Sequence, residues 1–204
     1  MPDYAARRTL MVDTQVRPSD VTKFPIIDTM LTVPREMFVP TSQREAAYMG
    51  ENIEIGPGRV VLEPRTLAKM LDALDLQPSE LVLDIAPGYG YSAAALSRLA
   101  EAVVAVEEDE DFASEAESAL SDVGADNVVM ITGPLAEGAA KHGPYDAIVI
   151  QGGVEEVPPV ILAQLKEGGR IAAVFMAGVG SAIWLTVQCL GGLRSMQGPR
   201  SCRG

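Results

Sequence analysis

Asp84, Gly88, Gly90 and Glu107 are the residues of this chain whose types and spacing could do chemistry. In LVLDIAPGYGYSAAALSRLAEAVVAVEE, Leu81 to Glu108, an acid falls at the end of a short apolar run, two glycines follow, and a second acid closes a later apolar run. Glycine at 88 and 90 lets the backbone turn sharply and approach a ligand where a Cβ would collide. Each carboxylate could accept hydrogen bonds from a ligand's ammonium or hydroxyl groups. The positioning elements read as a strand through Val82, Leu83 and Ile85, a helix from Ala93 to Leu99, and a second strand ending at Glu107. Open α/β sheets hold ligands outside the carboxyl ends of their strands, where both acids fall.

Two cofactors fit this spacing. Gly88-Tyr89-Gly90-Tyr91-Ser92-Ala93 matches the dinucleotide pattern G-x-G-x-x-A, with Glu107 as the ribose acid. It equally matches an S-adenosylmethionine loop, where one acid precedes the glycines and a second binds the ribose. A dinucleotide's pyrophosphate disfavours nearby carboxylates, whereas the methyl donor is a cationic sulfonium. Asp84 and the run Glu107, Glu108, Asp109, Glu110, Asp111 tilt the choice toward the cation.

Composition narrows the rest. The 204 residues carry a formal net charge of -12, which disfavours a nucleic acid held by its phosphates and an anionic membrane surface. No apolar run approaches the roughly 20 residues of a membrane span, and the opening MPDYAARRTLMVDTQ lacks a signal-peptide core, so a cytoplasmic protein is expected. Cys189 and Cys202 cannot make a disulfide framework or a zinc site, so no metal is expected. His142, the single histidine, sits in a Gly-Pro turn and reads as a solvated loop residue.

Three regions are expected. Residues 1 to 50 form a helical preface, with Leu10, Met11, Val16, Ile26, Ile27, Met30 and Leu31 at helical spacings between prolines. Residues 51 to 182 form the cofactor-binding domain. There Leu67, Met70, Leu71 and Leu74 make a helical stripe; strands are expected at 81–86, 103–107, 127–132, 146–151 and 170–175, with helices at 91–100, 110–122 and 157–166. That alternation predicts an α/β fold, a doubly wound, mostly parallel sheet. Residues 183 to 204 form a tail: all 28 acidic residues lie at or before Glu167, and the segment 191–204 lacks apolar periodicity and is expected to lack stable structure. Trp184 and Leu185 are its expected docking points.

Roughly from residue 5 to 176, the chain resembles the protein-L-isoaspartate O-methyltransferase family. VPREMFVP at 33 to 40, VLDIAPGYGYSAA at 82 to 94, GPYDAIVIQGG at 143 to 153 and EVPPVILAQLKEGGRI at 156 to 171 carry the likeness. The resemblance implies a Rossmann-like S-adenosylmethionine-dependent methyltransferase acting on the carboxyl group of isoaspartyl residues in damaged proteins or peptides. It implies donor binding by Asp84, Ala86, Gly88, Gly90 and Glu107. The family's Thr-Ile-Ser segment, whose hydroxyls help hold the cofactor and the reacting carboxylate, corresponds to Val60, Val61 and Leu62, which would wall the methyl group. Two further positions depart. Ala86, before Pro87, stands where glycine is usual and fits if its φ stays negative. Pro134 stands where an acid usually binds adenine, leaving backbone groups near Gly133 and Leu135 for that role.

The implied chemistry needs no histidine. A carboxylate with a pKa near 4 is already a nucleophile at neutral pH, so methyl transfer can rest on alignment and a dry pocket. A methyltransferase with another acceptor and a cofactor-binding module without turnover are the alternatives, both motivated by the missing hydroxyls.

Overall fold

The computed structural model describes residues 3–176 and the backbone of 183–189. The preface contains α1 (Tyr4–Met11) and α2 (Phe24–Thr32), joined by a wide π turn and a 3-10 turn, and two more 3-10 turns lead to residue 46. A hairpin follows, β1 (Ile53–Gly56) and β2 (Arg59–Val61), antiparallel and separate from the main sheet. Its turn is Pro57-Gly58, and Gly58 takes φ +70°, which the proline–glycine pair supplies without strain. No strand was expected there.

The body then alternates: α3 (Pro64–Leu74), β3 (Leu81–Ile85), α4 (Tyr91–Ser97), β4 (Ala102–Glu107), α5 (Glu110–Asp122), β5 (Val128–Thr132), β6 (Tyr145–Val154), α6 (Pro159–Leu162), β7 (Leu165–Met176) and β8 (Ile183–Cys189). In α3, Pro64 occupies the first turn and Asp75 closes the helix at φ +50°, while Leu67, Met70, Leu71 and Leu74 are buried. The sheet order is β5-β4-β3-β6-β7-β8; all neighbours are parallel except β7 and β8. This is the doubly wound, mostly parallel sheet expected.

Side chains alternate across the sheet, so each strand feeds two cores. One core joins Val82, Val103, Ala147 and Val174 to α3, α4 and the preface residues Met11, Ile27, Met30 and Phe38. The other gathers Leu83, Val106, Ile148 and Ile171 with Ile161 and Leu165. The preface therefore shares a core with the sheet.

Several boundaries differ from expectation: α4 ends at Ser97, three residues early, and β6 and β7 run well beyond the expected 146–151 and 170–175. The helix expected over 157–166 is only the short α6, because Gln164 turns inward and its side chain binds Ala139 N–H, the Glu137 carbonyl and the Val160 carbonyl. The sheet also crosses the expected domain limit at 182. Backbone pairing of Phe175 with Trp184 and Val174 with Leu185 makes 183–189 an edge strand, so this part of the expected tail has regular structure. Residues 190–204, which include the whole segment expected to be unstructured, lie outside the described residues. Among the described residues, no helix is long and apolar enough to cross a membrane, and no three His, Cys, Asp or Glu side chains cluster as a metal site.

Candidate active site

The sheet winds outward from β3 through β4 to β5, then returns to β6 on β3's other side. Strand order thus reverses between β3 and β6, which opens a crevice at their carboxyl ends. A cavity of about 340 Å3 occupies it, bounded by Ile85 at the end of β3 and Ala86 after it, Ile150 to Val154 of β6, Leu135 and Ala136, and Pro158 and Ile161. Gly58, Arg59 and Val60 of the hairpin close it over. The β6–β7 register shifts between Val149 and Gly153, and this bulge breaks the regular ladder at the cavity wall.

The glycine loop is strained where glycine is missing. Ala86 has φ +64°, against the expected negative value, because its N–H must still bond the Val106 carbonyl at 2.9 Å while the chain turns away from β3. A left-handed alanine costs about 1–2 kcal/mol. Gly88 has φ +59° and lies under the hairpin; a Cβ there would stand 2.5 Å from Ile55 Cδ1. Gly90, at φ +92°, serves packing: its missing Cβ would meet Ala116 and Leu120 of α5, so the space it saves belongs to a helix contact.

Both acids are buried, neither one open to a ligand. Asp84 is 0% exposed; Ser92 Oγ donates to Oδ2 at 2.6 Å and Gln151 Nε2 to Oδ1 at 2.8 Å. Burial, helped by the charge of Glu107, outweighs the two hydrogen bonds that favour the ionised form and raises this carboxyl to about 7. Gln151, which the sequence reading missed, stands between Asp84 and the cavity. Glu107, also 0% exposed, accepts Arg59 Nη1 at 2.8 Å and Arg59 Nη2 at 2.5 Å. It accepts the backbone N–H groups of Gly88 and Glu108 at 2.9 Å and of Asp109 at 3.2 Å as well. The expected ribose acid is therefore covered by Arg59, another residue the sequence reading missed.

The expected wall divides. Val60 lines the cavity, and all of Val60 to Leu62 line a small gap beside Pro87, Tyr91 and Gln151. Leu62 is only 6% exposed and belongs to the core shared with the preface. Arg35 of the VPRE segment fixes this strand exit. Fully buried, it donates to the Leu62 carbonyl at 2.8 Å and the Ala47 carbonyl at 2.7 Å, with its guanidinium 4.7 Å from the centre of the Tyr91 ring. Leu135 reaches the cavity, whereas the Gly133 N–H is already spent on the Glu107 carbonyl at 2.9 Å.

The cavity has the size of a small-molecule site. Val60, Ile85, Leu135, Ile150 and Ile161 make it apolar, with Gln151 and Glu156 as polar groups at its wall. Gly152 has φ +92° and nothing within 4 Å of where a Cβ would stand, so its backbone leaves room that a side chain would fill. The cavity's apolar lining suits the flat face of a heterocycle, and of the two buried acids only Asp84 lacks a cationic partner.

Fold and site together define a Rossmann-like methyltransferase. The family profile described as protein-L-isoaspartate(D-aspartate) O-methyltransferase (PCMT) matches residues 7–180, and the chain belongs to this family. A protein-L-isoaspartate O-methyltransferase of Koribacter versatilis is 35% identical over 168 residues, covering 82% of this chain and 76% of the relative. A protein-L-isoaspartate O-methyltransferase 2 of Pelobacter propionicus is 38% identical over 165 residues, covering 81% and 73%. Among solved structures, a protein-L-isoaspartate O-methyltransferase superposes with TM-score 0.76 at 26% identity, covering 90% of this chain and 59% of its own. A putative Plasmodium falciparum member in complex with S-adenosyl-L-homocysteine superposes with TM-score 0.74 at 17% identity, covering 92% and 89%, and speaks for the fold. The family uses S-adenosylmethionine, which resolves the two-way reading of the glycine loop. Neither another acceptor nor a module without turnover gains support from these matches.

Proposed function

We propose that this chain transfers a methyl group from S-adenosylmethionine to the carboxylate of isoaspartyl residues in damaged proteins and peptides, in the cytoplasm. The observation that carries it is the apolar cavity at the β3/β6 reversal, roofed by the hairpin that bears Arg59 and Val60. The donor supplies an electrophilic methyl on a cationic sulfur, which a carboxylate displaces directly. The chain's own residues do the rest. Ile85, Ile150 and Leu135 exclude water, and Val60 limits the path by which the acceptor arrives. Ala86, Gly152 and Leu135 shape the donor slot; Gly88 lets the hairpin close over the loop, and Gly90 acts indirectly by seating α4 on α5. Asp84 acts through Gln151, its charge favouring the sulfonium without touching it.

The test is labelled methyl transfer to an isoaspartyl peptide and to its normal aspartyl twin. Transfer confined to the isoaspartyl form is expected. Donor binding with transfer to neither would refute the acceptor, and no donor binding would refute the reading as a whole.

A further inference from the structure

Glu107 already has more donors than acceptor sites. An ionised carboxylate offers about four lone-pair positions. Two guanidinium N–H groups of Arg59 and three backbone N–H groups point at them. As the ribose acid that the family resemblance implies, Glu107 would offer a bound donor's diol the same two oxygens. The three backbone donors belong to the glycine turn and to the turn entering α5, which the fold fixes. Only Arg59 can leave.

Its setting makes leaving feasible. Arg59 sits on a two-stranded hairpin outside the main sheet, with a register irregularity between Glu54 and Gly56. Such a hairpin is marginal by itself and depends on what it packs against. At its turn end it meets the glycine loop, α5 and β4 through Ile55 over Gly88, Gly56 beside Phe112, the Arg59 guanidinium 5.5 Å from the centre of the Phe112 ring, and the bidentate pair with Glu107, while Ile53 and Val61 anchor its open end in the core. The Arg59 side chain keeps 19% exposure, so it has a route to solvent, whereas Glu107 has none. A buried carboxylate stripped of its cation is costly unless other donors replace it, and the two O–H groups of a ribose do so.

We propose that Arg59 is a latch on the donor site, competing with the donor's ribose hydroxyls for Glu107. Donor binding exchanges the ion pair for two hydroxyl hydrogen bonds, and the hairpin that carries Arg59 and Val60 loosens from Glu107 as this happens. The latch rests on the proposed methyl donor, though not on any acceptor.

The test is calorimetric binding of S-adenosylhomocysteine, and of its 2′,3′-dideoxy form, to the intact chain and to Arg59→Met. The variant is expected to bind S-adenosylhomocysteine about tenfold tighter, with no gain for the dideoxy form, which has no hydroxyls to compete. Hydrogen exchange of the amides from Gly56 to Val61 should be faster in the variant without any ligand. Arg59→Gln repeats the measurement should the methionine variant not fold. Equal or weaker binding of S-adenosylhomocysteine by the variants would overturn the latch, as would an equal gain for both ligands, which would mean only a wider cavity. Absence of binding by every protein would overturn the proposed donor and the latch with it.

Discussion

Asp84 should make this protein lose stability as pH rises through neutrality, and Asp84→Asn should abolish that loss. In the fold the carboxyl titrates at about 7; in an unfolded chain it returns to 3.8. Between those values the native state holds a proton that the unfolded state has lost. Stability therefore falls with rising pH, by about 1.4 kcal/mol per pH unit, and the contribution is gone above the folded value. From pH 5 to pH 8 the loss is about 3 kcal/mol. Asparagine keeps a carbonyl for the Gln151 amide, lets the Ser92 hydroxyl turn and accept, and has no proton to lose. Urea unfolding of both proteins at pH 5, 6.5 and 8 isolates this group, since every other titration is common to the two. The difference in unfolding free energy should shift by about 3 kcal/mol in favour of the variant across that range. A difference constant to within about 0.5 kcal/mol would refute the reasoning. Because a sulfonium favours the ionised acid, donor binding near pH 7 should also release a fraction of a proton, seen as a dependence of the binding heat on buffer ionisation enthalpy.

Arg35→Met should destabilise the fold by about 3 kcal/mol in urea, because the carbonyls of Ala47 and Leu62 lose buried donors; a loss under about 1 kcal/mol would show that water replaces them. Val60→Thr is nearly isosteric and lines the cavity, so it should leave the melting temperature within a few degrees while raising isoaspartyl turnover roughly tenfold through a restored hydroxyl. Leu62→Ser should instead lower stability by about 2–4 kcal/mol, since that side chain is core; a thermally neutral Leu62→Ser would contradict its burial. Ala86→Val should cost about 2 kcal/mol or more, a β-branched residue being poorly suited to φ +64°, and calorimetry should show weaker donor binding; an unchanged melting curve would mean that the turn relaxes.

β3 and β4 were legible as short, nearly unbroken apolar runs, the mark of strands buried on both faces, and β3, β4 and β5 lie within a residue of their expected limits. The reversal point and the glycine turn followed from that order. The hairpin was not found, although Ile53 to Val61 alternates about a Pro-Gly turn, because its strands of four and three residues are too short for periodicity to speak. With it went Arg59, whose partner stands 48 residues away and whose type marks no pairing. Chemical type misled at Ala86, where turn geometry imposes a glycine conformation on alanine, and at Gly90, where closeness to a helix imitates closeness to a ligand. The edge strand β8, IWLTVQC, has ordinary strand composition and was passed over because it lies within the acid-free tail.

The joint core of preface and sheet sets an order of events during synthesis. Met11, Met30 and Phe38 leave the ribosome first, yet they belong to one core with Val174 on β7, almost the last of the described chain to appear. Through most of translation the preface therefore has helices with no completed face to rest on, and its apolar side chains stay available to chaperones. A chain halted before β7 would be an adhesive intermediate and not a folded half, so a preface expressed alone should collect in aggregates that later addition of the body does not rescue.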